Sequence, residues 1–232
     1  MTLTPGTEIG GYRIESLISQ GGMGAVYKAI QLSVDRLVAF KTLLHDGNPK
    51  AVERFKQEAK IVARISHPNV VQVLDLREEG GVLFIAMELV DGVDLSTRLK
   101  EAGPLDESTA IDYMRQSAEA LAAAHSKGVI HRDVKPSNIM LTLGNVVKVM
   151  DFGIAKSVVE ETQITRAGAL LGTPDYMPPE QISGEAADAR SDIYALGATF
   201  YHLAAGRPPF VGKVYTDVLV SHKTETALPL TE

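Results

Sequence analysis

His131-Arg132-Asp133-Val134-Lys135-Pro136-Ser137-Asn138 gathers a carboxylate, an ammonium and an amide into one short stretch. Taken singly, an aspartate or asparagine there is ordinary turn chemistry. His131, Arg132, Asp133, Lys135 and Asn138 in fixed register are a far rarer coincidence and point to a site. Further on, Asp151-Phe152-Gly153 follows the apolar strand pattern Val146-Val147-Lys148-Val149-Met150 and supplies an acidic ligand near Asn138. Magnesium takes hard oxygen ligands and keeps phosphate oxygens in its shell, and one carboxylate with one amide oxygen suits it.

Upstream lies Ile18-Ser19-Gln20-Gly21-Gly22-Met23-Gly24-Ala25-Val26. Glycines between two strands let backbone N–H groups approach phosphate oxygens, although the same pattern also makes a plain hairpin. Lys41, ending Val38-Ala39-Phe40-Lys41, reads alone as a solvated edge charge. Glu58 changes that reading. With residues about 100° apart, Phe55, Ala59, Val62 and Ile65 share one helix face, and Glu53, Lys56, Gln57, Lys60 and Arg64 the other. Glu58 falls on the apolar side, where a carboxylate needs a facing cation. The two gain meaning as a pair, Lys41 to hold phosphate oxygens and Glu58 to hold Lys41.

These groups need a scaffold. Alternating patterns at 12–18, 25–30 and 37–41 predict three strands in an antiparallel meander, with a turn at Asp35-Arg36. After the helix over 51–65, further strands are expected near Val71–Asp75 and Val82–Met87, followed by a break at Asp91-Gly92. The rest reads mainly as helix. Asp106 caps a helix running through Ser126 and closed by Gly128, and another spans Ser191–Ala205, ended by Gly206. Between them, 138–150 reads as short strands and 151–180 as one long loop, a length that is usually functional. The fold class is therefore α+β: an antiparallel sheet with one helix, then a mainly helical lobe.

Composition narrows the function. Of 232 residues, 45% are hydrophobic and 22% charged, enough apolar surface for a real core. A net charge of −6 argues against nucleic acid and anionic membrane as partners. With no cysteine there is neither a disulfide nor a thiolate metal site. Neither a signal-peptide pattern at 1–11 nor an apolar run long enough to span a bilayer is found, so a cytoplasmic location is expected, alone or as part of a longer membrane-anchored protein.

Across residues 12 to 230 the chain resembles the bacterial-type (Hanks-type) serine/threonine protein kinases. The motifs above carry the likeness, with Gly172-Thr173-Pro174-Asp175-Tyr176-Met177-Pro178-Pro179-Glu180, Asp192-Ile193-Tyr194-Ala195-Leu196-Gly197 and Arg207-Pro208-Pro209-Phe210. The resemblance implies a two-lobed kinase fold, with an N-lobe over 1–90 and a C-lobe over 91–232 within a domain at 12–232. It implies transfer of phosphate from ATP, with Mg²⁺ or Mn²⁺, to Ser/Thr hydroxyls of proteins. Asp133 then orients the substrate hydroxyl and accepts its proton, Lys135 neutralises charge on the transferred group, and Asn138 and Asp151 hold the metal. Ile18, Val26, Ala39 and Met140 sandwich adenine, Met87 backs the pocket, and the Glu88 and Val90 backbones bind the adenine edge. Ser19, Gly21, Gly22 and Gly24 form the phosphate loop, with Ser19 where the family usually has glycine.

Arg132 beside Asp133 implies control by phosphorylation of Thr162 or Thr165 and a self-association that serves trans-autophosphorylation. Thr173 is expected to contact Asp133 and Lys135, and Asp192 to accept backbone hydrogen bonds from the loop. The family's domain continues into further helices carrying an arginine that pairs with the glutamate at Glu180. No arginine follows Arg207, so a partial C-lobe and a Glu180 without its partner are expected. The alternative function is a nucleotide-binding scaffold with little activity, owing to that truncation.

Overall fold

The computed structural model describes residues 2–21, 24–43, 49–152 and 173–230, leaving outside the side chains at 49–51, 54, 55 and 58. The chain forms two compact units. The first draws on Met1–Ser66 and Val71–Val90, the second on His67–Val70 and the described parts of Asp91–Gly153 and Gly168–Glu232.

The first unit is a six-stranded antiparallel sheet and a helix. Its strands β1 (Glu8–Ile9), β2 (Tyr12–Gly21), β3 (Gly24–Gln31), β4 (Arg36–Leu43), β5 (Val73–Glu79) and β6 (Val82–Glu88) run in the order β1-β2-β3-β4-β6-β5. The helix α1 spans Pro49–Val62. Alternation sets the faces: β3 buries Ala25, Tyr27 and Ala29, and the register sets Tyr27 opposite Phe40 and Ala29 opposite Val38. Tyr12, Phe40 and Phe84 meet on this face with ring centroids 4.4 to 6.0 Å apart. The other face carries Val26 opposite Lys41 and Ala39 opposite Met87. Gly24 opens β3 at φ +142°, where a β-carbon would lie 1.9 Å from the Thr42 carbonyl oxygen. Only glycine lets the strands close so tightly.

The expected strand at Val71–Asp75 is instead Val73–Glu79. The reason lies before it. The buried Asn69 amide donates to Gln116 Oε1 and to the Val147 carbonyl, which commits residues 67–70 to the second unit.

That unit holds a small antiparallel sheet, β7 (Gly92–Asp94), β8 (Ile139–Thr142) and β9 (Val147–Val149) in that order. Its helices are α2 (Leu95–Ala102), α3 (Glu107–His125), α4 (Pro179–Ile182), α5 (Ala189–Ala205) and α6 (Tyr215–Thr224). The expected break at Asp91-Gly92 falls where the first unit ends, at Val90, and the second resumes, at Asp91. Gly92 opens β7 because a β-carbon there would meet the Leu141 carbonyl oxygen at 2.0 Å. Asp106 caps α3 by accepting from Thr109 N, as its sequence position suggests. Helix α5 starts earlier than the expected Ser191, because the cap is Asp188, with Ser191 completing a capping box. Gly206 ends it in the left-handed conformation at φ 73°.

The expected loop over 151–180 contains a 3₁₀ turn at Pro174–Tyr176 as well as α4, and α6 was not foreseen at all. Helices α3 and α5 pack through Leu121, Leu196, Phe200 and Leu203, joined by Val134, Ile139 and Val147. Among the described residues no helix is long and apolar enough to cross a membrane.

Candidate active site

Val134 is buried in the core of the second unit. Asp133 and Lys135, the residues on either side of it, are both half-buried. Lys135 is extended (φ −162°, ψ 162°), and its Nζ lies 2.9 Å from Asp133 Oδ2. The expected strand start at Asn138 is replaced by a 3₁₀ turn, Pro136–Asn138. That turn brings Asn138 back onto the loop, where Nδ2 donates to the Asp133 carbonyl at 2.8 Å and to Asp133 Oδ2 at 3.0 Å. With both amide hydrogens so directed, Oδ1 is the atom Asn138 can offer to a cation.

Sequence reasoning gives His131 no role, yet it is the centre of this loop. Its ring is fully buried. Nδ1 accepts from Asp133 N at 3.2 Å, so the hydrogen sits on Nε2, which donates to the Met150 carbonyl at 3.0 Å. Met150 N donates in turn to the Asn138 carbonyl. The ring lies 4.7 Å from that of Phe152. Asp151 is thus held from both flanks, in a left-handed conformation at φ 57° that a non-glycine residue adopts only under constraint.

Burial pushes the His131 pKa below its ordinary value and opposes protonation. It does the same to His202, whose Nδ1 lies 2.7 Å from the Tyr176 hydroxyl, and to His222, whose Nδ1 lies 2.7 Å from the Tyr194 hydroxyl. In the unfolded chain all three take up protons near pH 6.5, whereas the folded state resists. The unfolded state then binds more protons, so stability falls as pH drops through that value. Thermal melts at pH 7.5 and 5.5 are expected to show a lower Tm at pH 5.5. An unchanged or higher Tm would contradict the assignment.

Asp192, in the first turn of α5 and 1% exposed, holds the loop from beneath. Its Oδ2 accepts from His131 N at 2.8 Å and from His125 Nε2 at 2.7 Å, and its Oδ1 from Arg132 N at 2.8 Å. Arg132 needs this support, since it too is left-handed, at φ 63°. Next to Asp192, the Ser191 hydroxyl donates to Glu180 Oε1. Glu180 is half-exposed, and through that bond its carboxylate is tied to α5. Thr173 is exposed and heads the turn Pro174–Tyr176.

The remaining candidates lie mostly on the first unit. Val26, Ala39, Lys41 and Met87 share one face of its sheet, with Lys41 also opposite Ile85. Ile18 is exposed on β2, and Ser19 pairs with Val26, as Gly21 does with Gly24. Glu88 N donates to the Gln72 carbonyl at 2.9 Å, and Val90 is half-buried. On the second unit, Met140 in β8 is half-buried and pairs with Asp94 and Lys148. Gly22, Thr162, Thr165 and the Glu58 side chain lie outside the described residues.

The sheet-and-helix unit, the helical unit and this loop together define a protein kinase domain, and the family model "Protein kinase domain" matches residues 12–229. The chain belongs to that family. It is 45% identical over 230 residues to the serine/threonine-protein kinase pkn3 of Myxococcus xanthus, covering 95% of this chain and 42% of that protein. It is 39% identical over 224 residues to the serine/threonine-protein kinase PknB of Mycobacterium leprae, covering 94% of this chain and 36% of that protein. Identity to the serine/threonine-protein kinase PknA of Mycobacterium tuberculosis is 40% over 228 residues, with 95% and 53% covered. The chain thus spans about half the length of these relatives or less.

Proposed function

We propose that this chain transfers the γ-phosphoryl group of ATP to serine and threonine hydroxyls of proteins, with Mg²⁺ or Mn²⁺ as the metal. The observation that carries the reading is the Asp133–Lys135–Asn138 cluster, in which one carboxylate is held by a lysine at 2.9 Å and an amide at 3.0 Å. Asp133 orients the acceptor hydroxyl and takes its proton as the γ-phosphorus–oxygen bond to ADP breaks. Lys135 offsets charge on the transferred group. Asn138 Oδ1 and the Asp151 carboxylate suit a hard cation, and would hold the metal that draws charge off the phosphates. Lys41 binds phosphate oxygens and Glu58 positions it, while Ile18, Val26, Ala39, Met87 and Met140 provide apolar contact for adenine, with Glu88 and Val90 at its edge.

Arg132 is the residue that a phosphate on Thr162 or Thr165 would engage, so activity rises after autophosphorylation between two copies. Because the reaction consumes ATP, the chain works on the cytoplasmic side. Incubation with Mg²⁺, γ-labelled ATP and a basic protein substrate tests the function. Label on serine and threonine of the substrate or of the chain itself is expected. Nucleotide binding without any transfer would overturn the proposal in favour of a scaffold.

A further inference from the structure

The third donor to Asp192 is a residue that the loop motif does not contain. His125 is the last residue of α3, 18% exposed at its side chain, and its Nε2 lies 2.7 Å from Asp192 Oδ2. An ionised carboxylate only accepts, so Nε2 carries the hydrogen whatever the charge on the ring. The same Oδ2 takes His131 N, and Oδ1 takes Arg132 N. The two loop amides are therefore met only while the carboxylate plane keeps one rotation, and His125 is the side chain that braces that plane.

The chain path adds to this. Just after α3, Gly128 turns at φ 73° and Val129 N reaches back to the Ala124 carbonyl at 3.1 Å. The helix end and the start of the loop thus share one anchor in the first turn of α5. Arg132, at φ 63°, sits between that anchor and Asp133. A left-handed arginine relaxes when its amide loses its partner, and Asp133 moves with it.

We infer that His125 is a positioning residue for phosphoryl transfer, acting through Asp192 on the backbone that presents Asp133. The inference rests on the function proposed above. Its test compares His125→Phe, which keeps a ring and removes the donor, with His125→Gln, whose amide reaches as far as Nε2. Steady-state kcat and KM for ATP are measured with Tm. The Phe variant is expected to lose about 10-fold or more in kcat, because small misplacement of a catalytic group is costly. KM for ATP should stay within about 2-fold, since ground-state nucleotide contacts are untouched. The Gln variant should recover most of kcat.

If the Phe variant does not fold, His125→Asn replaces it, since that shorter amide falls short of Asp192. A donor-less variant with unchanged kcat overturns the role, as does a Gln variant as slow as its donor-less counterpart. A wild-type chain without any transfer overturns the proposed function and this inference together. A wild-type chain that transfers phosphate at the rate of the Phe variant overturns the positioning role alone.

Discussion

Asp133→Asn is expected to lower kcat for phosphoryl transfer by about 10²–10⁴-fold, the range over which a positioned general base contributes, and to leave the fold intact. The substitution preserves shape and removes the group able to take the hydroxyl proton. It also removes the counter-charge 2.9 Å from Lys135 Nζ. Stability should change by about 1 kcal/mol or less, because both side chains of that pair are partly exposed and solvent screens them. The loop backbone has independent anchors in Asp192, His131 and the Asn138 amide. Affinity for ATP should persist, because the proposed adenine and phosphate contacts on the first unit are unaltered. Single-turnover transfer, nucleotide binding and a thermal melt on the same preparation separate these effects. Full activity in the variant would sink the assignment of Asp133.

Asp192→Ala is expected to damage both stability and activity. It strands the His131 and Arg132 amides and the His125 ring at a site that is 1% exposed. Each buried donor left without a partner costs about 1–3 kcal/mol. Relaxation of the loop and entry of water recover part of this, so a loss of about 3–5 kcal/mol is reasonable. For a chain of this size, 1 kcal/mol corresponds to roughly 2–4 °C in Tm, giving a fall of about 6–20 °C. Activity should drop by at least about 10²-fold even in molecules that remain folded, because Arg132 loses the bond that holds its strained conformation and Asp133 follows. Asp192→Asn is informative beside it. One amide oxygen cannot replace two acceptors on opposite sides, so its NH₂ group must face a donor. A kcat near wild type in the Asn variant would show that the loop does not depend on this carboxylate.

Much of the scaffold could be read from order along the chain. Strands β2, β3 and β4 follow from alternation, and the α3 cap at Asp106 and the α5 stop at Gly206 from residues whose preferences act within one turn. The candidate residues His131 to Asn138 were visible for the same reason, since their spacing is local. Other features were hidden because their partners are distant. Gly92 marks the break between the units, yet the need for glycine there depends on the Leu141 backbone pressed against it. The strand expected from Val71 opens only at Val73, after the Asn69 amide has tied residues 67–70 to the second unit. The bond from the Ser191 hydroxyl to Glu180 joins residues 11 positions apart.

The loop His131–Asn138 shows the same division. The identities of Asp133, Lys135 and Asn138, and the chemistry available to them, are properties of the sequence alone. What holds them is not. The His131 tautomer, the left-handed Arg132 and Asp151, and the convergence of His125, His131 and Arg132 on Asp192 join residues up to 67 positions apart. A carboxylate gains most from several donors where water is excluded, and only the packing of α3 and α5 creates that place.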